Sequence, residues 1–331
     1  MRAAWYEHRG PAADTLVVGE MPDVEPAAGE VRIKVEISGL SPGDVKKRAG
    51  WQGSPMPYPR VIPHSDGAGV IDSVGPGVDR SLIGRRAWCY GAQSYRPFGT
   101  AAEFAVVPQA LAVALPETDS VLDDRNLAEQ AACLGIAGIT GYRAVFADGS
   151  VTGLHVLVHG ATGGVGSIAT QMAIRDGAIV IAGVRDGEQV RASALGAQHV
   201  VVTDQPDAAA QIRAIAPDGV HRIAEVEFTS HIDLDAEVIA VGGVICSYYS
   251  AADRPQIPYW KLGFADTTMR LLGSDDFTAT VKADAANQLN LALLDGRLRS
   301  AIAARIPLEE IVRAHELVEH GAGGRVVIEV T

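Results

Sequence analysis

Cysteine, basic residues and long apolar runs are all scarce in this chain of 331 residues. The three cysteines, Cys89, Cys133 and Cys246, stand far apart, which excludes a disulfide framework and any zinc motif of closely spaced cysteines. No segment approaches the ~18 consecutive apolar residues that a membrane-spanning helix needs. The start of the chain lacks the apolar core of a signal peptide. These absences predict a soluble, cytoplasmic protein with no membrane partner.

The charge balance is acidic, because 28 Lys and Arg residues stand against 40 Asp and Glu residues and leave a formal net charge of −12. A negative field of this size repels phosphate backbones, so we expect no nucleic acid partner. Hydrophobic residues make up 47% of the chain, which is typical of globular proteins. At ~150 residues per domain, the length predicts two domains.

The sequence pattern changes after Pro116. Before it, apolar and polar residues alternate between Gly- and Pro-rich turns, which predicts strands at 31–37, 67–71 and 101–107. From 155 to 248, strand-like and helix-like segments alternate, which predicts right-handed βαβ units and a parallel sheet.

The alternation ends near Ala265, where two helical segments and a final strand follow. The simplest assembly joins this tail to the β-rich N-terminal part. It predicts one domain of residues 1–124 plus 265–331 and a second domain, residues 125–264, inserted between the two pieces. The fold class is therefore α/β, with a doubly wound parallel sheet in the inserted domain.

A glycine-rich turn follows the first strand of the alternating part and opens a helix. Its residues are Gly160, Ala161, Thr162, Gly163, Gly164, Val165 and Gly166. Glycines let the backbone approach a pyrophosphate, and a helix N-terminus offers unpaired N–H groups with a partial positive charge. Because an apolar strand precedes the turn, we interpret it as a dinucleotide site rather than an ordinary tight turn.

The end of the next strand indicates which dinucleotide binds. An NAD site places a carboxylate there, on the ribose 2′-hydroxyl, but this chain has Gly183 and Val184 at the expected positions. Arg185 follows, and its forked guanidinium suits a 2′-phosphate. NADPH is therefore favoured over NADH. Two alternatives stay open: Asp186 as the ribose ligand after a two-residue shift, and Arg185 as a surface residue.

Several blocks in a fixed order carry a resemblance to a known family. They are 41–44, 62–70, 99–104, 138–142, 161–166, 242–243 and 323–327. Over nearly its full length the chain resembles the medium-chain dehydrogenase/reductase superfamily, and within it the zinc-independent quinone oxidoreductase (zeta-crystallin-like) branch. The resemblance implies a Rossmann-type domain inserted into a β-rich GroES-like catalytic domain, and it implies a homodimer.

The metal positions separate this branch from the zinc enzymes of the superfamily. Where those enzymes have cysteine, histidine and cysteine as ligands, the resemblance places Ser41, Ser65 and, approximately, Ile136. Zinc sites use Cys, His or carboxylate ligands, so we expect no zinc and no other metal. His64 precedes the second position. It is either a proton donor or substrate contact, or a turn histidine packed near Asp66.

The resemblance also implies residues for the site, in the cleft between the two domains. For the cofactor they are Thr140, Gly160, Ala161, Thr162, Gly163, Gly164, Val165, Gly166, Gly183, Arg185, Ser247, Tyr248 and Arg325, with Arg191 as a second candidate for the 2′-phosphate. The substrate-lining candidates are Ser41, where the family usually has asparagine, together with Trp51, Tyr58, His64 and Tyr95. Loop aromatics suit a flat quinone, although they also commonly pack a loop against its domain.

The expected chemistry is a hydride transfer from NADPH to a quinone or another electron-poor conjugated acceptor. The cofactor supplies the difficult step, and the protein orients the reactants and excludes water. Two alternatives stay open. One is an enone, enoyl or iminium reductase of a biosynthetic pathway, and the other is a cofactor-binding structural or regulatory protein with little turnover.

Overall fold

The computed structural model describes residues 1–116 and 122–330, which form two compact units. Unit 1 comprises Met1–Ala137 and Lys282–Thr331, and unit 2 comprises Gly138–Val281. Both junctions lie later in the chain than the domain boundaries that we predict at 124/125 and 264/265. The assignment of catalytic and cofactor-binding domains with those boundaries stays a prediction.

The helices and strands have the following bounds. The strands are β1 Arg2–Trp5, β2 Val17–Glu20, β3 Glu30–Leu40, β4 Asp66–Val74, β5 Arg86–Cys89, β6 Phe104–Pro108, β7 Ala112–Ala114, β8 His155–His159, β9 Ile179–Val184, β10 His199–Val202, β11 Val220–Glu225, β12 Ile239–Ser247, β13 Thr268–Leu271, β14 Ile302–Pro307 and β15 Arg325–Glu329. The helices are α1 Ala12–Thr15, α2 Pro42–Ala49, α3 Asp124–Ala131, α4 Gly135–Phe146, α5 Gly164–Arg175, α6 Gln189–Ala194, α7 Ala208–Ile215, α8 Phe228–Val238, α9 Tyr259–Phe264, α10 Ala279–Leu294 and α11 Ile311–Glu319. Within the described ranges, no helix combines the length and the apolar character that crossing a bilayer demands.

Unit 1 is built on a largely antiparallel sheet in the order β14-β15-β3-β4-β5-β7, with β6 also paired to β3. β3 shows why these residues form strands, since Val31, Ile33 and Val35 are fully buried and the residues between them are more exposed. β14 and β15 form a parallel pair at one edge. The predicted strand at 31–37 is confirmed and extends at both ends.

Unit 2 is a parallel sheet in the order β10-β9-β8-β11-β12-β13. The three middle residues of its central strand β8, Val156, Leu157 and Val158, are apolar and completely buried. Such continuous burial is typical of parallel strands covered by helices on both faces. The strand order reverses between β8 and β11, and ligands of doubly wound folds bind beyond the carboxyl ends of the strands at this switch point. The predicted α/β fold class is confirmed.

The sequence pattern does not reveal the strands β13 and β14. β13 extends the parallel sheet of unit 2 beyond Ala265, where the predicted alternation ends. It is an edge strand, and Thr268, Met269 and Leu271 are all exposed. A strand without a buried face has no alternating pattern, so the period-2 criterion does not detect it.

Candidate cofactor site

The glycine-rich turn connects the carboxyl end of β8 to the start of α5. Gly160 has a φ of +61°, a left-handed conformation that glycine adopts without strain. A Cβ atom on Gly166 would lie 2.2 Å from the carbonyl oxygen of Gly160, so only glycine lets the first turn of α5 pack on this loop. Gly163 is the N-cap residue, and no described side chain caps the helix. The first N–H groups of α5 are therefore available to an anion.

Helix α4 packs directly on this turn. A Cβ atom on Gly141 would lie 2.9 Å from the carbonyl oxygen of Val165, which is a closer approach than a larger residue allows. Thr140, which precedes Gly141, is only 5% exposed. The structure therefore brings the predicted cofactor residue Thr140 beside the turn.

The carboxyl ends of β9 and β12 border the same edge of the sheet. The carbonyl oxygen of Gly183 accepts a hydrogen bond of 3.1 Å from the Ala161 N–H, which joins the end of β9 to the turn. At the end of β12, the Tyr248 N–H donates to the carbonyl oxygen of Glu225 at 3.1 Å, and Ser247 is buried. Four predicted cofactor segments thus converge at one end of the sheet.

No carboxylate occupies the position that an NAD site requires. A Cβ atom on Gly183 would lie 3.0 Å from Thr203 Cγ2 and 3.3 Å from His159 Nδ1, so a longer side chain does not fit there without displacing its neighbours. Asp186 lies in the next loop, where its Oδ1 accepts hydrogen bonds from the Gly187 N–H at 3.0 Å and from the Gln189 side chain at 2.9 Å. Its carboxylate is therefore engaged in closing its own loop.

Two arginines stand at this end of β9. Arg185 is exposed, and its guanidinium makes no hydrogen bond or ion pair with the part of the chain that the structure describes. Arg191 Nη2 donates to the carbonyl oxygen of Thr162 at 3.2 Å, and its guanidinium lies 3.6 Å from Glu188. Arg191 therefore contacts the glycine-rich turn itself, whereas sequence reasoning makes it only the second candidate.

In unit 1, Ser41 and Ser65 are both held by the carboxylate of Asp44. The Ser41 N–H and hydroxyl donate to Asp44 Oδ2 at 2.9 and 2.8 Å, and Asp44 Oδ1 accepts from the Ser65 N–H at 3.2 Å. Ser41 is the N-cap residue of α2, and Asp44 completes a capping box. Asp44 is 4% exposed, so it is a buried structural acceptor. The Ser-x-x-Asp spacing is the sequence feature that predicts this role.

His64 is buried in the core of unit 1. Its Nδ1 lies 2.8 Å from Ser38 Oγ and its Nε2 lies 3.0 Å from Nε2 of His315. Burial lowers the pKa of His64 to about 4, so the ring is neutral at physiological pH. The structure thus places this ring in a packed histidine pair.

Arg325 begins β15, between β14 and β3, and it is only 5% exposed. Its charge acts on the buried Cys133 thiol. Its charge also acts on Asp66, whose Oδ1 accepts a hydrogen bond of 2.9 Å from the Ile136 N–H. Burial raises the pKa of Asp66 to about 7 despite the charge of Arg325. Arg325 is therefore part of a buried polar group in unit 1.

Three of the substrate-lining candidates lie in exposed loops of unit 1. The Tyr58 hydroxyl donates to the carbonyl oxygen of Tyr95 at 2.5 Å, so these two residues are brought together. Tyr95 itself is 71% exposed and Trp51 is 50% exposed. Trp51 stands in its own short 3-10 turn, Trp51–Gly53.

Comparison with known proteins identifies the family. Residues 27–117 match the alcohol dehydrogenase GroES-like domain, and residues 195–328 match the zinc-binding dehydrogenase family. The quinone oxidoreductase of Rattus norvegicus is 32% identical over 307 residues, which cover 90% of this chain and 88% of the rat protein. The chain belongs to the quinone oxidoreductase branch of the medium-chain dehydrogenase/reductase superfamily. It is an NAD(P)H-dependent oxidoreductase, and the predictions of the family and of an enzyme are confirmed.

Solved structures of the superfamily share the fold over the whole chain. An NAD-dependent alcohol dehydrogenase is 26% identical with a TM-score of 0.84, and a mycobacterial protein complexed with NADPH is 24% identical with a TM-score of 0.84. Each comparison covers 100% of both chains. The same fold therefore accompanies either nicotinamide dinucleotide in these relatives.

Proposed function

We propose that this oxidoreductase transfers a hydride from NADPH to a quinone or another electron-poor conjugated acceptor, without a catalytic metal. The glycine-rich turn carries this proposal. Its Gly160 and Gly166 leave a backbone cradle that a Cβ atom would fill, and the uncapped start of α5 faces it. The residues present therefore fit a bound pyrophosphate.

The choice of NADPH depends on the end of β9. Gly183 leaves no carboxylate to repel a 2′-phosphate, and Arg185 has a guanidinium without a described partner. Arginine recognises phosphate through two parallel hydrogen bonds, so Arg185 is the proposed 2′-phosphate ligand. Arg191 holds the turn through the Thr162 carbonyl and is a positioning residue in this scheme.

The residues at the zinc-ligand positions do not fit zinc. The Ser41 hydroxyl and the Ser65 N–H are both hydrogen-bonded to Asp44, and Ile136 has an aliphatic side chain. Zinc sites are formed by Cys, His and carboxylate ligands. Without a Lewis acid to polarise an alcohol, the reaction suits acceptors that are already electron-poor.

The bound dinucleotide supplies the hydride, and the side chains of the protein bind and orient the reactants. We propose that Tyr58, Tyr95 and Trp51 contact the acceptor, because flat aromatic side chains pack well on a quinone ring. The hydrogen bond between the Tyr58 hydroxyl and the Tyr95 carbonyl oxygen fixes the two loops together. No general acid is assigned, since the buried His64 is committed to Ser38 and His315.

We also propose a homodimer formed through unit 2. β13 is an edge strand of the parallel sheet, and Leu271 on it is 80% exposed. On α9, Trp260 and Phe264 are 70% and 81% exposed, and their rings stack on each other. Such exposed apolar residues beside an open sheet edge favour pairing with a second copy.

The acceptor class is tested by measuring kcat/KM for an ortho-quinone and for a cyclic enone, with NADPH as donor. We expect the quinone to react faster, and Tyr95→Ala to raise its KM without changing the Kd of NADPH. Faster turnover of the enone favours the enone reductase alternative. Tight NADPH binding with no turnover of either acceptor contradicts the proposed reaction and favours a non-catalytic role.

A further inference from the structure

Two histidines and two carboxylates form a cluster inside unit 2, directly behind the glycine-rich turn. His159 is the last residue of β8, and Glu225 is the last residue of β11. His231 and Asp235 lie four residues apart on α8, so they share one face of that helix. We call these four residues the His–carboxylate cluster.

The ligand-type atoms of the cluster are close together. His159 Nε2 lies 2.8 Å from Asp235 Oδ1 and 3.5 Å from Glu225 Oε2. His231 Nδ1 lies 2.9 Å from Glu225 Oε1. One such atom from each of His159, Glu225 and His231 falls within 4.8 Å of the others. Ligands at ~2.1 Å from a tetrahedral metal ion are roughly 3.4 Å apart, so small movements bring these atoms to a common ion.

Burial makes the cluster unusual. The side chains of His159, Glu225 and Asp235 are completely buried, and that of His231 is 23% exposed. Among the described residues, His159 Nδ1, Glu225 Oε2 and Asp235 Oδ2 have no hydrogen-bond partner. Buried polar atoms are nearly always paired, and an unpaired one commonly marks an ion or water. The two carboxylate oxygens are acceptors, so they need either a bound cation or a retained proton.

Charge balance supports a divalent cation. A carboxylate that is completely buried, as Glu225 is, is costly unless a positive charge compensates for it, and a metal ion bound beside it supplies that charge.

We propose that His159, Glu225 and His231 bind one divalent transition metal ion of the Zn²⁺ class, beside Asp235, which contacts His159. Imidazole and carboxylate ligands together suit Zn²⁺ and Co²⁺. The stacked imidazoles, whose centroids are 4.2 Å apart, turn about their soft χ2 torsions to aim at one ion. The partly exposed His231 gives the ion its route of entry.

The three ligands come from three different elements, β8, β11 and α8, so the role that we assign to this site is structural. It joins the ends of β8 and β11 to α8, and it anchors His159 immediately before Gly160. It lies in unit 2, whereas the positions of the superfamily's zinc ligands, Ser41, Ser65 and Ile136, lie in unit 1.

The test measures metal binding directly. The full chain is purified with its affinity tag removed, and bound metal is quantified by mass spectrometry after dialysis without chelator. We expect about one ion per chain, and the metal-free protein titrated with Co²⁺ should show the visible absorption bands of tetrahedral coordination. His231→Asn should lower metal occupancy at least tenfold and remove these bands. Asparagine keeps a hydrogen-bonding group beside Glu225, which favours retention of the fold.

His221→Asn is the matched control, because His221 also stacks on a histidine of unit 2, His155, outside the cluster. It should retain the metal and the Co²⁺ spectrum. Zn²⁺ should raise the melting temperature of the parent and of H221N but not that of H231N. A parent protein that contains no metal and gives no Co²⁺ bands overturns the proposal, and so does an undiminished spectrum in H231N. In either case protons balance the charge of the cluster.

Discussion

Substitution of Gly166 by alanine tests the cofactor cradle. The new Cβ atom would lie 2.2 Å from the carbonyl oxygen of Gly160 and 2.8 Å from its carbonyl carbon, both of which are backbone atoms without rotamer freedom. The turn must therefore open by roughly 1 Å, and a misplacement of that size costs about 100-fold in a positioned site. A lost hydrogen bond to a charged phosphate, at about 1.5–3 kcal/mol, gives a similar 10- to 100-fold rise in the Kd of NADPH.

Isothermal titration of G166A with NADPH measures this loss, and thermal unfolding checks the fold, which overpacking destabilises by about 1–3 kcal/mol. Gly273→Ala is the matched control, because Gly273 has a φ of −116° and no atom lies within 4 Å of its added Cβ. G273A should bind NADPH like the parent. A folded G166A that also binds NADPH with the parent's Kd would refute the assignment of this turn to the pyrophosphate.

Three further predictions follow from particular contacts. Arg185→Ala should raise the Kd of NADPH about 10-fold and leave the Kd of NADH unchanged, whereas Arg191→Ala should weaken the binding of both dinucleotides because it releases the Thr162 carbonyl. Titration of each variant with both dinucleotides distinguishes these roles. Equal losses of NADPH and NADH affinity in R185A would contradict 2′-phosphate binding. Because burial lowers the pKa of His64 to about 4 from its usual 6.5, the unfolded chain binds more protons between these pH values, and stability falls as the pH falls through them. In urea unfolding at pH 7 and pH 4, the free energy of unfolding of His64→Asn should fall by roughly 3 kcal/mol less on acidification than that of the parent. Parallel pH profiles for the parent and the variant would show that the imidazole is not responsible. Leu271→Glu should convert the proposed dimer to a monomer in sedimentation velocity, and an unchanged oligomer would exclude β13 from the interface.

Local sequence patterns predict unit 2 well because its features are local. The apolar run before the glycine-rich turn, the glycines and the following helix are neighbours in the chain, and the structure has them as β8 and α5. The edge strand β13 is not predictable in this way, because a strand exposed on both faces has no alternating pattern.

Contacts between distant residues are the part that sequence reasoning misses. His159 and Asp235 are separated by 76 residues yet lie 2.8 Å apart, and His64 contacts His315 across 251 residues. The sequence does not show which distant residues contact each histidine, so it does not distinguish a buried histidine from one that contacts a substrate. The tertiary packing distinguishes a buried histidine from a substrate contact: β8 packs against α8 around His159, and the core of unit 1 surrounds His64.

The most direct test of the proposed function is NADPH oxidation by an ortho-quinone in the presence of a chelator, followed by nicotinamide absorbance. The same assay on the parent and on H231N distinguishes a catalytic metal from the proposed structural metal, because H231N should not bind the structural metal. Zinc-free hydride transfer predicts that both proteins turn over and that the chelator leaves their initial rates unchanged. Loss of turnover on chelation, with the fold intact by circular dichroism and rescue by Zn²⁺ in both proteins, would contradict a metal-independent reaction.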